Sequence, residues 1–159
     1  MNFRKGNFRR AFSLIELVIV IVILGVIGAI AIPRMSRGAA GATESGAGSD
    51  LAILRSAVEL YSAEHNGAFP TVANFSDQLT LYSDISGGTS ATKTGAYIYG
   101  PYLRTVPKQK AGPNAGAAGV TATQGTAGAG WWYTVSTGTI KINAANTDLD
   151  SNGTPWVNY

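Results

Sequence analysis

The feature that most constrains this chain is an uninterrupted apolar stretch near its N-terminus, from Phe12 to Ile32. Its 21 residues contain one charged side chain, Glu16. A helix of this length spans roughly 30 Å, which matches the hydrocarbon core of a bilayer. The sequence therefore predicts a membrane-spanning helix with a carboxylate inside it.

The segment before this stretch is strongly basic. It holds four of the twelve basic residues and none of the nine acidic ones, so a chain cut after Ala11 would have a formal charge of −1. The basic flank predicts that the N-terminus lies on the cytoplasmic side. The high isoelectric point belongs mainly to residues 1–11, and we expect no nucleic-acid binding by the rest.

Two simple explanations of the apolar stretch stay open. A secretory signal peptide would have a shorter apolar region followed by a small-residue cleavage site, which Ala29-Ile30-Ala31 matches only superficially. A plain membrane anchor would have no need of Glu16, because a carboxylate inside an apolar span is costly and usually marks a functional partner.

Residues 9–17, RRAFSLIEL, resemble the processing motif of type IV prepilins and of the pseudopilins of type II secretion. In that family a peptidase cuts before Phe, on the cytoplasmic side, and the new amine is methylated. The resemblance implies a leader at 1–11, cleavage between Ala11 and Phe12, N-methylation of Phe12, and a membrane or filament-core helix at 12–33. The chain has Ala11 where the family usually has Gly.

The same resemblance gives roles to two further residues. Counted from Phe12, Glu16 is the fifth residue and Pro33 the twenty-second, both family positions. It implies that Glu16 pairs with the Phe12 amine of a neighbouring subunit, which would offset the cost of burying the carboxylate. Gly25, Gly28 and Pro33 weaken a helix, and either a kinked anchor or a segment that melts in a filament would explain them.

Residues 34–66 form the next segment. Its first part, 34–50, is rich in Gly, Ala and Ser and predicts either a loose linker or a poor helix, with Asp50 as the N-cap of the helix after it. An apolar stripe at helical spacing then predicts one buried helix face: Leu51, Leu54, Val58 and Tyr61.

This helix is predicted to end near Asn66-Gly67. His65, the one histidine of the chain, lies at that end, where a cation would meet the helix dipole favourably. It has no acid–base partner nearby in sequence, so we do not predict catalysis.

Residues 67–159 predict a small β-rich domain. Residues 131–135 and 139–143 are β-branched or aromatic and flank a short loop containing glycine, which predicts a hairpin. Residues 75–82 fit either type of element, 95–99 a brief strand, and the low-complexity stretch 111–130 a surface loop. The fold class is therefore α+β, with a long N-terminal helix packed by its second half on a small antiparallel sheet, as in pilins.

Two further segments are similar to the major pseudopilins of type II secretion: 66–71, NGAFPT, and 100–108, GPYLRTVPK. This resemblance implies a non-enzymatic subunit of a periplasmic pseudopilus. Its partners would be further copies of itself, a prepilin peptidase and methyltransferase, other pseudopilins, the inner-membrane secretion platform, and the membrane before assembly. A type IV pilin for adhesion, motility or DNA uptake stays the alternative.

The C-terminal tail contains alternating oxygen-bearing residues before a glycine, Asp148, Asp150 and Asn152 ahead of Gly153. This spacing begins like a calcium-binding loop, although the glutamate expected at the twelfth position is replaced by Tyr159. A structural calcium ion and a plain turn both stay open. Resemblance to the major pseudopilins, which hold calcium in this region, strengthens the case for the ion, but the plain turn stays the favoured interpretation.

Two other functional classes have weaker support. A membrane-anchored enzyme would need a nucleophile with its base, a metal cluster or a cofactor loop, and none of these patterns is present in the sequence. A carbohydrate-binding module would use exposed tryptophans, and Trp131, Trp132 and Trp156 are the candidates. Aromatic residues of the core are the commoner explanation.

Overall fold

The computed structural model describes residues 12–159, apart from the side chains of 32–37. The predicted leader and Ala11 lie outside the described residues. The elements, in chain order, are α1 (Leu14–Glu64), α2 (Phe75–Thr80), β1 (Tyr82–Ser83), β2 (Thr89–Ser90), β3 (Gly119–Thr121), β4 (Ala129–Thr134), β5 (Thr139–Ile142) and a final 3₁₀ turn (Trp156–Asn158).

The long helix α1 belongs to two compact units, one before Ala39 and one from Ala39 to Tyr159. The stretch 34–50, predicted as a loose linker or a poor helix, is helical throughout. Asp50 is therefore an interior helix residue, and its prediction as an N-cap is wrong. The prediction of the C-terminal end is correct: Asn66 and Gly67 have positive φ angles of 54° and 84°, and Gly67 N–H donates to Ser62 O at 2.8 Å.

The second half of α1 packs its apolar stripe into the core, as predicted. Leu51, Leu54, Val58 and Tyr61 are all buried. They pack in one cluster with residues of α2 and of the two longer strands, namely Phe75, Leu79, Trp131, Tyr133, Ile140 and Ile142. This packing of helix against sheet confirms the α+β class.

The predicted hairpin is present. β4 and β5 pair antiparallel with Trp131 opposite Ile142 and Tyr133 opposite Ile140. The side chains of these four residues are buried, so one face of the hairpin covers the core. The turn contains Gly138 with φ 67°, and a Cβ there would lie within 2.4 Å of the Phe69 ring, so any larger residue would displace that ring.

The stretch 111–130 is not simply a surface loop. It contains β3, which joins the edge of β4 in parallel, so the sheet is not entirely antiparallel. Its Gly/Ala/Thr composition shows no alternating strand pattern. The pairing with β4 is made by the backbone, which leaves little trace in the sequence. Gly130 is the clearest case: a Cβ there would lie 2.2 Å from Ala117 O.

The region between α1 and β3 contains only short secondary-structure elements. The segment 75–82, which fitted either type, forms α2 and begins β1. β1 pairs with β2 as a two-stranded antiparallel ribbon. The brief strand predicted at 95–99 is wrong, since only single bridges, Ser83 with Tyr99 and Thr94 with Tyr97, are formed there.

The stripe of α1 offers a matched test of the core. Leu54 is 0% exposed and Leu60, on the same helix, is 51% exposed. We expect Leu54→Ala to lower the free energy of unfolding by about 2–5 kcal/mol, because it leaves a cavity. Leu60→Ala should change it by less than about 0.5 kcal/mol.

Urea unfolding followed by tryptophan fluorescence measures both variants, since Trp131, Trp132 and Trp156 all lie in the second unit. Equal midpoints for the two variants would contradict the packing described here.

Candidate membrane-anchor and assembly site

The first half of α1 is apolar and exposed. Within it, the 18 residues Leu14–Ala31 have a mean hydropathy of 3.0, and none is buried. Large side chains point outward all round the helix, including Leu17, Ile21, Leu24 and Ile27. By length and composition this segment is compatible with a single membrane span, and an apolar surface this large marks contact with lipid or with another chain.

Glu16 lies in the first turn of α1, and Phe12 lies just ahead of the helix. Both are exposed. No described residue forms an ion pair with Glu16. The positive end of the helix dipole favours a carboxylate at this position. The structure therefore places Glu16 and the predicted methylation residue Phe12 at the same end of the apolar segment, where a second chain can reach them. The other predicted assembly residue, Pro33, lies within α1.

The three predicted helix-weakening residues all lie inside α1, which continues through Pro33. A Cβ added at Gly25 or Gly28 would meet nothing within 4 Å, so packing within one copy does not require either glycine. Local melting of this segment in a filament stays a prediction.

The tail carboxylates bind the backbone of their own loop. Asp150 Oδ1 accepts N–H groups from Asn152 at 2.8 Å and Thr154 at 2.7 Å, and Oδ2 accepts the Tyr159 hydroxyl. Asp148 Oδ2 accepts the Ala145 N–H at 2.8 Å. The described residues contain no group of three or more acidic or histidine side chains placed to hold a metal.

These hydrogen bonds bear directly on the calcium hypothesis. Both oxygens of Asp150 already accept hydrogen bonds, and Asn152 contributes its backbone N–H to them. A bound cation would have to compete with these donors for the same lone pairs. The plain-turn interpretation accounts for this geometry, and calcium binding stays a prediction.

The hydrogen bond between Asp150 and Tyr159 shifts the pKa values of both groups. Donation by the Tyr159 hydroxyl lowers the pKa of Asp150, and backbone N–H groups of the loop act in the same direction. The same bond raises the pKa of Tyr159 to about 12. The charged carboxylate is therefore the form that stabilises the tail.

Two polar contacts hold other segments to the glycine-rich part of α1, and sequence reasoning missed both of them. Ser151 donates its N–H and its hydroxyl to the two oxygens of Glu44, each at 2.9 Å. Lys110 Nζ lies 2.9 Å from the largely buried carboxylate of Asp50. Because the partners are far apart in sequence, no local pattern could have predicted them.

The structure gives His65 a packing role. It is 2% exposed, and its ring stacks on Tyr61 with a centroid separation of 3.8 Å. Its Nδ1 lies 2.8 Å from Tyr61 O, and its Nε2 lies 3.1 Å from the Ser83 hydroxyl. His65 therefore holds the end of α1 to β1, which the interpretation as a cation at the helix end did not foresee.

The tryptophans also have structural roles. Trp131 and Trp156 are buried in the core. Trp132 is half-buried and donates from Nε1 to Ala122 O at 3.1 Å. This placement favours core aromatics over a row of sugar-stacking rings.

Asp150 gives a prediction about pH. Its pKa is lowered in the folded state, so it stabilises the fold fully above its unfolded pKa of about 3.9, and this contribution is lost as the pH falls through the folded value. We expect the melting temperature to fall less on acidification for Asp150→Asn than for the wild type. Thermal unfolding followed by tryptophan fluorescence at about pH 6 and about pH 2 measures this.

Asp77→Asn is the matched control, because Asp77 is exposed on α2 and its carboxylate accepts no hydrogen bond from a described residue. On acidification its melting temperature should fall by as much as that of the wild type. The same loss of stability in Asp150→Asn and in the wild type would show that the tail hydrogen bonds do not depend on the charge.

Comparison with known proteins agrees with the site at the start of α1. Residues 6–32 match the family model described as the prokaryotic N-terminal methylation motif. No curated protein and no solved structure matches the chain. The motif includes the predicted cleavage site, Glu16 and the whole apolar stretch from Phe12 to Ile32, and it is typical of structural subunits processed by a prepilin peptidase. The N-terminal segment therefore indicates a type IV prepilin-like precursor.

Proposed function

We propose that this chain is a structural subunit of a periplasmic pseudopilus in a type II protein secretion system. The observation that carries the proposal is the methylation motif at 6–32 joined to a helix whose apolar residues 14–31 are all unburied. A soluble chain would hide such a surface, whereas a subunit that passes from membrane to filament uses it in both places.

The orientation follows from charge. Arg4, Lys5, Arg9 and Arg10 precede the span, and such basic flanks stay in the cytoplasm. The second unit, from Ala39 onward, would then lie in the periplasm. Cleavage after Ala11 removes the basic leader and frees the Phe12 amine.

Assembly would use that amine. In the filament, the amine of one copy lies against Glu16 of a neighbour and neutralises it, so the apolar helices pack without an uncompensated buried charge. A pairing of this kind also fixes the axial register of neighbouring helices, as buried polar pairs do in coiled coils.

The choice of a secretion pseudopilus over a type IV pilus draws on two segments after α1. Residues 66–71 follow the helix, which ends at Glu64, and Gly67 N–H bonds back to Ser62 O. In 100–108, Tyr102 donates its hydroxyl to Glu64 at 2.6 Å. Both segments lie at the C-terminal end of α1, and their resemblance to the major pseudopilins is what supports this choice. The pilus is the second candidate, since the N-terminal motif serves both.

Maturation is the first test. We expect protein from the native membrane to start at N-methylated Phe12, because the peptidase cuts before this residue. Intact mass and N-terminal sequencing, with the prepilin peptidase gene present and deleted, measure it. A start at Met1 in both strains would refute the proposal, and a start after Ala31 would indicate a secretory signal peptide.

Deleting the gene for this chain separates the two candidate roles. Loss of proteins from the culture medium, with surface pili unchanged, is expected for a pseudopilus subunit. Loss of surface filaments or of motility, with normal secretion, would instead favour the pilus.

Glu16 gives the assembly prediction. Removing one partner of a buried ion pair costs about 3–5 kcal/mol, which corresponds to about two to four orders of magnitude in an assembly equilibrium. We expect Glu16→Ala to reach the membrane in normal amounts but to form almost no filament, measured by fractionation and by shearing. Glu59→Ala is the control, because Glu59 is an exposed glutamate on the same helix outside the apolar segment. Normal filaments from Glu16→Ala would rule out the pairing.

Calcium belongs to the proposal as a structural ion for the tail. If Asp148 and Asp150 bind it, adding calcium should raise the melting temperature of the wild type, by ligand linkage. The rise should be absent in Asp148→Asn/Asp150→Asn, and magnesium serves as the control ion. An unchanged melting temperature at millimolar calcium would leave the tail as a plain turn.

A further inference from the structure

A groove of about 480 Å³ opens on the second unit. Residues 104–106 and 118–120 both line it. The two segments are joined beyond the groove, where Gln109 N–H donates to Ala117 O at 2.9 Å and Gly116 N–H donates to Gln109 O at 2.7 Å. Residues of α2 complete the lining. The groove is therefore a built feature between secondary-structure elements.

The lining combines an apolar surface with one cation. The half-buried Val72, Val106 and Val120 supply apolar surface, and Arg104 supplies a guanidinium group. Arg104 is exposed, and its side chain makes no ion pair or hydrogen bond with any described residue. A ligand that fits this groove presents an apolar side chain next to a carboxylate.

The tail loop of the same chain presents that chemistry. Leu149 is 54% exposed and stands between Asp148 and Asp150 in sequence. The loop is held in shape by the bridge from Leu149 to Pro155 and by the bonds from Ser151 to Glu44. The described bond of Asp148 uses Oδ2, so Oδ1 is available to a partner. Leu149, flanked by two acidic residues, is thus an exposed apolar knob on an ordered loop.

The tail loop and the groove segment of one chain are tied to α1 at different points. Ser151 fastens the tail loop at Glu44 of α1, whereas Tyr102, two residues before Arg104, is fastened at Glu64. Twenty residues of helix separate these two points, which is about 30 Å at the rise of an α-helix. Knob and groove therefore lie at different heights along α1.

We propose that the tail loop of one copy docks in this groove of the next copy, with Leu149 against Val72, Val106 and Val120 and with Asp148 paired to Arg104. The inference rests on the proposed function, because it names a contact between assembled subunits. The two surfaces are different patches of one chain, so the contact is heterologous and repeats from copy to copy. Such a contact adds length to an assembly without closing a dimer.

Cysteine crosslinking tests the contact directly, because the chain has no cysteine of its own. The double variant Leu149→Cys/Val120→Cys, assembled and then mildly oxidised, should give a ladder of disulfide-linked multimers on a non-reducing gel. Each single variant should lack the ladder. Val135→Cys/Val120→Cys is the matched control, because Val135 is another exposed apolar residue and lies next to the β4–β5 turn.

A charge exchange tests the ion pair. We expect Arg104→Asp and Asp148→Arg each to lower the yield of sheared filaments about tenfold, because like charges would face each other across the contact. The double variant should restore the yield. Lys108→Asp, a charge reversal at a nearby exposed position, should leave the yield unchanged. Tryptophan-monitored unfolding checks that every variant folds.

The outcomes separate this contact from the function it rests on. Wild-type filaments together with only monomers in the cysteine double variant would overturn the docking and leave the proposed function standing. Crosslinks from Leu149→Cys exclusively to a different protein would also overturn it. A wild-type chain that forms no filament in its native membrane would overturn both.

Discussion

The packing of the α1 stripe against the β4–β5 hairpin is the interaction on which the second unit depends. Leu54 and Tyr61 on the helix share one core with Trp131 and Ile140 on the strands. A two-stranded hairpin is marginal in water without such cover, and a helix with exposed leucines on both faces would have no unique partner. This one interface fixes which face of α1 turns inward, and thereby which residues remain for contacts with other chains.

Apolar side chains are exposed in the first half of α1 and buried along one face of its second half. From Leu14 to Ile30 they are exposed, and from Ala47 onward one face of the helix is buried. Between them lies a segment with four glycines, Gly38, Gly41, Gly46 and Gly48, each of which costs a helix about 1 kcal/mol. The polar contacts of Glu44 and Asp50 with distant residues offset part of that cost. The helix therefore persists where its own sequence is weakest.

Sequence reasoning worked wherever a periodic pattern reflected burial. The length of the apolar stretch predicted the exposed half of α1, the spacing of Leu51, Leu54 and Val58 predicted the core face, and β-branched runs predicted the hairpin. It failed where a contact joins distant residues. β3 forms through backbone pairing in a stretch rich in Gly and Ala, where Val120 and Thr121 alone are too few to form a strand pattern, and Ser151 bonds to Glu44 across 107 positions. The processing residues belong to a local motif, and so their order and spacing along the chain are enough to identify them.

The close approach at Gly130 has a consequence for how this chain can diverge. The stretch 111–130 looks interchangeable in composition, yet its glycines are restricted for different reasons. Gly130 is restricted by space, because Ala117 O occupies the place of a Cβ. Gly116, Gly125 and Gly128 have open space but positive φ angles, so each accepts a larger residue only at the cost of backbone strain. Sequence drift through this stretch would be freest at its exposed alanines and threonines, such as Ala115, Thr123 and Ala127, and halted at Gly130, a strict position inside a region that composition alone would class as unconstrained.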